Sequence, residues 1–302
     1  MNVSQSGVLL AGFGGPGSPR EVKPFLERIF SHANIPPARF KEMVRRYRLV
    51  GGSSPYDSVA RRQKKALQNW FAKKNHKVQI ETGFLYSKPF IFDALKKLTQ
   101  RRAKNIYVLV LTAFRSGPSF GRYQIRIDEA LNLIHPKPKV IYTEPFFAKD
   151  EFIEAMADRI RKTEKANLPT HFIFSAHSIP VRLAEKSHYA AEFLTASKRI
   201  AKKLKLKNWS LAYQSRSGLP HDPWLGPDVQ EVIQKIDPSK VKQVCLVPVG
   251  FLLENMELLY DLDVEARKIC RRHGLGYRRV KALNDDPKWI ETAGSILWKA
   301  LK

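Results

Sequence analysis

Cysteine is nearly absent from this 302-residue chain: only Cys245 and Cys270 occur. The first lies in an apolar run and the second near the end of a helical pattern, with no neighbours spaced for zinc or an iron–sulfur cluster, so both read as buried thiols. Long apolar runs are missing too. No stretch approaches the roughly 20 apolar residues of a membrane-spanning helix, and the start MNVSQSGVLLAGFGG lacks the basic flank and long apolar core of a signal peptide. A cytoplasmic location is therefore expected. Acids are scarce as well, 28 Asp and Glu against 53 Lys and Arg, for a formal charge of +25. An excess of this size suits a polyanionic partner, be it nucleic acid, an anionic membrane surface or a small acidic ligand. The basic clusters at 45–48, 61–62, 202–203 and 271–272 lie on helical patterns and read mostly as solvated faces.

The chain does have the material for cores, with 43% hydrophobic and 11% aromatic residues, which excludes disorder, collagen and coiled coil. Short β-branched runs alternate with longer amphipathic segments, the pattern of parallel sheets with crossover helices. Strands are predicted at 8–13, 78–86, 106–113, 140–143, 171–176, 210–213, 243–249 and 277–280. Helices are predicted at 58–74, 90–102, 150–162, 190–204, 228–236 and 287–300. Four strands on each side of Glu144-Pro145 imply an α/β chain of two similar Rossmann-like domains, 1–145 and 146–286, with the site in the cleft between them. The helix from Pro287, residues 287–302, is expected to complete the first domain.

Several motifs compete for the chemistry. Gly12-Phe13-Gly14-Gly15-Pro16-Gly17 fits a dinucleotide fingerprint, but Pro16 and Pro19 stand where the phosphate-binding helix should start, and no acid follows at the ribose-binding distance. A tight glycine loop still lets a ligand approach the backbone. Gly117-Pro118-Ser119-Phe120-Gly121 fits the nucleophile elbow of a serine hydrolase, with Arg115-Ser116 intervening between strand and elbow and Pro118 stiffening the turn. His177 follows a buried strand, where open α/β sheets bind ligands; it reads either as a base or as a satisfied polar residue. The segment 243–266 holds no Lys or Arg but carries Glu254, Glu257, Asp261, Asp263 and Glu265. Glu257, Asp261 and Glu265 recur every four residues, a file of hard oxygen ligands that suits passage of a divalent cation; an acidic face paired with basic helices would look the same. Pro223-Trp224 sits in a rigid turn, and Trp224 is either core or a flat face for a planar ligand.

SAHSIP at 175–180, YQSRSG at 213–218, PWLGPDV at 223–229 and VPVGFLLENMELLYDLDVE at 247–265 closely resemble the ferrochelatase family. So do GFGGPGSPREVKPFLERIFS at 12–31 and GGSSPYDSVARRQ at 51–63. The resemblance implies two chelatase-type domains around a porphyrin and insertion of Fe²⁺ into protoporphyrin IX to make protoheme, a late step of heme biosynthesis that releases two protons. It places the catalytic pair on His177 and Glu257, which also meet the metal, with Asp261 and Glu265 as relay. A neutral imidazole on one side and Glu257 on the other are expected to share the proton and metal work. Phe13, Pro223 and Trp224 become porphyrin contacts. Asn255 stands where a histidine is common, Leu85 where an arginine often precedes the tyrosine, and the altered loop 113–121 offers Arg115 or Ser116 as a replacement contact. The segment 22–30 looks like the protoporphyrin branch; the +25 charge suits the four carboxylates of coproporphyrin III. No permanently bound cofactor, iron–sulfur cluster or nucleic acid is expected: the partners are porphyrin and ferrous iron, on a monomer that touches the inner face of an anionic membrane peripherally through the basic stretch 20–48. The readings outside chelation are a porphyrin carrier without turnover and a hydrolase using Ser119.

Overall fold

The computed structural model of the chain describes residues 5–31, 35–163, 168–217 and 223–302, in 118 and 119 the backbone alone. The first half runs β1 (Ser6–Gly12), α1 (Val22–Ile29), α2 (Pro37–Leu49), α3 (Tyr56–Lys73), β2 (Gln79–Phe84), α4 (Ile91–Gln100), β3 (Asn105–Val110), a π-helical turn (Gly117–Gly121) leading into α5 (Arg122–Leu131), and β4 (Lys139–Tyr142). The second runs α6 (Asp150–Thr163), β5 (Thr170–His177), α7 (Val181–Ala184), α8 (Tyr189–Lys203), β6 (Trp209–Gln214), α9 (Val229–Gln234), β7 (Gln243–Val247), a π-helix (Leu258–Ala266) continuing as α10 (Arg267–Arg272), β8 (Gly276–Arg279), and the last helix α11 (Pro287–Leu301).

The strands form two four-stranded parallel sheets, ordered β2-β1-β3-β4 and β6-β5-β7-β8. A strand covered on both faces reads as an unbroken apolar run, and the inner strands do: all of SGVLLAG in β1 and QVCLV in β7 is buried. The halves follow one plan down to the π-helical stretch after the third strand of each. That detail escapes the sequence because a π turn keeps residues four apart near one face, as an α-helix does.

Helices α4 and α5 cover one face of the first sheet through Leu95, Leu98 and Ile127, and α9, α10 and the π-helix cover one face of the second through Ile233, Leu262 and Cys270. The remaining faces share a large core with α3, α6, α8 and α11. Helix α11 packs on both halves. Its Gly294 lies so close to α3 that an added Cβ would sit 2.5 Å from the Trp70 ring, and its Trp289 stacks at 5.1 Å from Phe146 and 6.3 Å from Phe152 of α6. Helices α1 and α2 form a separate lip, where Val22, Phe25, Leu26 and Tyr47 pack with Tyr86 of the first half and with Met256 and Tyr260 of the second. Among the described residues no helix is long and apolar enough to cross a membrane.

Candidate active site

Parallel strands deliver their last residues to one edge, so a side chain at the end of β5 meets the loop that leaves its neighbour β7. His177 is the last residue of β5, and Glu257 stands at the head of the helix entered after β7. Asn255 starts that helix: its side-chain oxygen accepts the Leu258 amide at 2.9 Å, the bond of an N-cap. The position that departs from the family pattern thus has a local role of its own. Glu254 anchors the same loop by accepting the Ala282 amide at 2.7 Å, while its own amide donates to Asn284 Oδ1 at 2.9 Å. Arg279 of β8 forks onto Glu254 at 2.8 and 2.9 Å and onto Asp263 at 2.9 and 2.6 Å. Two of the five acids in the acidic segment are therefore structural, neutralised by one nearly buried guanidinium.

His177 Nε2 lies 3.3 Å from Glu257 Oε1, with both side chains about one-third exposed (32% and 34%). Its Nδ1 is 2.5 Å from the Ser178 carbonyl, which can only accept, so Nδ1 carries a proton and Nε2 is the atom turned to Glu257. Burial pushes the imidazole pKa down, but the Glu257 charge and hydrogen bond outweigh it and raise the value to about 9. At neutral pH the two are an imidazolium–carboxylate pair in contact. The two meet because β5 and β7 are hydrogen-bonded neighbours.

The file continues through Asp261, one turn along the π-helix. Burial raises its carboxyl to about 7, aided by the Glu257 charge, against the opposing Ser215 hydroxyl and Arg46. Arg46 reaches Asp261 from α2 at 3.6 Å and lies over the Tyr260 ring at 4.7 Å, so the lip crosses to the acid file. Glu265 accepts a long bond from Gln230 at 3.4 Å. Among the described residues no three His, Cys, Asp or Glu side chains close around a single metal position.

Across the cleft Phe13 follows β1, the counterpart of β5. It is 38% exposed, with its ring 4.8 Å from Tyr86 and 6.3 Å from Phe25. Tyr86 gathers two exposed cations: Arg28 donates to its carbonyl at 2.7 Å and Arg122 to its hydroxyl at 2.6 Å. The turn with exposed Pro223 and half-buried Trp224 is clamped beside His177: Val181 donates to the Pro223 carbonyl at 3.0 Å, Leu225 to that of Ile179 at 3.0 Å, and the Ser178 hydroxyl to that of Leu225 at 2.7 Å. The Trp224 indole N–H is buried without a partner.

Arg115 does not hang free in the cleft. Its guanidinium holds Glu192 of α8 through Nε at 3.1 Å and Nη2 at 2.9 Å, because a carboxylate only 3% exposed needs a cation beside it. Ser116 is buried, and the side chain of Ser119 lies outside the described residues. Sequence reasoning missed Tyr189, whose hydroxyl donates to the His177 carbonyl at 2.8 Å, and Ser175, which donates to Gln214 Oε1 at 2.9 Å and leaves the Gln214 amide nitrogen buried and unpartnered. It also missed Arg46. Spacing holds no signal for these, since each partner sits on a different element.

The ferrochelatase family profile matches residues 5–301. The chain belongs to the ferrochelatase family. A ferrochelatase of Rhodopirellula baltica is 32% identical over 97% of this chain and 85% of its own. A coproporphyrin III ferrochelatase of Streptomyces griseus is 31% identical over 96% and 84%, and a ferrochelatase of Aquifex aeolicus 32% over 97% and 98%. Of solved structures, SirB from Bacillus subtilis with Fe³⁺ superposes with a TM-score of 0.63 at 13% identity, covering 98% of this chain and 96% of that one. The likeness shows that the two-sheet fold is that of chelatases.

Proposed function

We propose that the protein inserts Fe²⁺ into a porphyrin held between Phe13 and the His177 edge, with release of two protons. The contact between His177 and Glu257 carries this reading. The pair keeps one proton at neutral pH, and a divalent cation arriving along Glu265 and Asp261 takes over the electrostatic role of that proton. The displaced proton leaves to solvent; Nε2 and the Glu257 carboxylate then accept the two pyrrole protons, one of which follows it to solvent while the other restores the pair, so two protons are released for each metal inserted. Trp224 and Phe13 offer flat faces to the macrocycle, and the proton balance closes without a nucleotide or a resident cofactor.

The porphyrin we favour is coproporphyrin III. The apolar lip that spoke for protoporphyrin IX is turned inward, with Phe25 and Leu26 buried against Tyr47 and Tyr260. Arg28 and Arg122 stand at the rim instead, suited to carboxylates of the ligand. Relatives from Streptomyces griseus and Propionibacterium freudenreichii are coproporphyrin III ferrochelatases by name. Anaerobic metallation of the two porphyrins side by side, followed by absorbance, tests both statements. Faster turnover of protoporphyrin IX would reverse the substrate choice. Porphyrin binding with no metallation of either would leave a carrier, and esterase activity lost in Ser119→Ala would leave a hydrolase.

A further inference from the structure

We infer that Arg115 and Glu192 form a positioning clamp that ties the loop after β3 to the helix holding the backbone of His177, and so fix the catalytic histidine from the opposite half of the molecule. This deepens the chelatase reading and rests on it. Glu192 lies in the first turn of α8, where it accepts the Arg115 amide at 2.8 Å as well as the guanidinium. The same turn carries Tyr189, 5% exposed, whose hydroxyl holds the His177 carbonyl. Phe114, next to Arg115, meets Tyr189 edge-on at 6.0 Å and Phe193 at 5.6 Å. Loop and helix are thus joined by an ion pair, its carboxylate buried and its guanidinium 42% exposed, and by an aromatic contact one residue away.

The helix turn has no freedom to shift while the clamp holds. Removing Arg115 leaves a buried carboxylate without its cation, and the turn must then move towards water or take up a proton. Either response is transmitted by Tyr189 to the histidine backbone. A misplacement of about 1 Å at a reacting group can cost on the order of 10² in rate. The clamp acts on turnover because it places a catalytic group, and because the guanidinium is spent on Glu192 it predicts an unchanged porphyrin affinity, which the KM of the variants reads.

The test compares Arg115→Ala, Glu192→Ala, the double variant and Glu192→Gln in metallation kinetics and in hydrogen–deuterium exchange. Arg115→Ala and Glu192→Ala are each expected to lower kcat by about 10- to 100-fold with the porphyrin KM within about twofold. The double variant should be no slower than the slower single one, as for two residues acting as a unit. Glu192→Gln keeps an acceptor for the Arg115 amide without a stranded charge, so it should fold and lose less than Glu192→Ala. Peptides spanning 177–193 should exchange about 10-fold faster in both alanine variants, with β1 unchanged. Unchanged kcat, unchanged exchange or independent losses that multiply in the double variant would each overturn the clamp. A rise in porphyrin KM with kcat intact would also overturn it and make Arg115 a substrate contact. If the wild type metallates no porphyrin, the functional reading falls, and the exchange result alone decides the clamp.

Discussion

Replacing Arg279 by methionine should unfasten the loop that presents Glu257. The guanidinium is 7% exposed and makes four N–O contacts of 2.6–2.9 Å, two to Glu254 and two to Asp263, whose side chains are 11% and 23% exposed. Stripping the cation from a buried pair costs about 3–5 kcal/mol, most of it the penalty of a carboxylate left uncompensated. Partial solvation of Asp263, and the Ala282 amide that Glu254 keeps, argue for the lower end. A loss of about 3 kcal/mol changes the folding constant by more than about 100-fold and, at about 2 °C per kcal/mol for a chain of this size, lowers Tm by about 6 °C. Urea unfolding followed by circular dichroism reads the first quantity and a thermal scan the second. Arg279→Lys keeps the charge but cannot fork onto two carboxylates, so it should fall between. The triple variant Arg279→Met, Glu254→Met, Asp263→Leu removes the stranded charges and should recover most of the loss. A single variant within about 1 kcal/mol of wild type, or a triple variant no better than the single one, would refute the assignment of this triad as the anchor.

His177→Ala and Glu257→Gln should each lower kcat by about 10² or more with little change in porphyrin affinity; near wild-type metallation by either would remove that residue from the mechanism. The His177 imidazole should titrate near pH 9 by NMR and move down in Glu257→Gln, because burial, which favours the neutral ring, is then opposed only by the Ser178 carbonyl and the Asp261 charge. As its folded pKa lies above the ordinary 6.5, its contribution to stability is full below that value and lost as pH rises through about 9; a His177→Ala variant with the same decline in stability over that range would contradict this. Asn255→Ala should cost about 1 kcal/mol for the lost cap, read by urea unfolding, and no change would deny the bond to Leu258. The protein should co-sediment with anionic but not neutral vesicles and be released by salt, at about 1 kcal/mol for each basic residue near the surface; equal partitioning to both would discard the electrostatic account.

The eight strands were legible because inner parallel strands must be apolar throughout, and they fall where the sequence places them, give or take two or three residues at the ends. The edges blur for a reason: Leu111, Ala113, Pro248 and Val249 are apolar and buried but lie beyond the ladder. Helix α1 left little trace, since Pro24 and the charges of VKPFLERI mask its three buried positions. At the site, His177 and the acid file could be read from strand position and spacing. Which acids were free could not, because Arg279 is 25 residues from Glu254 and looks like any other base in a chain with 53 of them. The ion pair of Arg115 was illegible for a like reason: its partner Glu192 is 77 residues away, and only the fold brings the two together.

Two sheets of one topology end in different equipment: β1 leads to the aromatic ring of Phe13, and its counterpart β5 ends at an imidazole. The two edges belong to separate sheets with separate outer cores, tied to one another by the Arg115–Glu192 pair and the Arg46–Asp261 contact. On the proposed reading, exchanging Phe13, Arg28 or Arg122 should change the range of porphyrins, and redrawing Glu257, Asp261 and Glu265 should change the metal. One plan repeated in two halves that share a core is, for protein engineering, a single scaffold with two differently equipped edges.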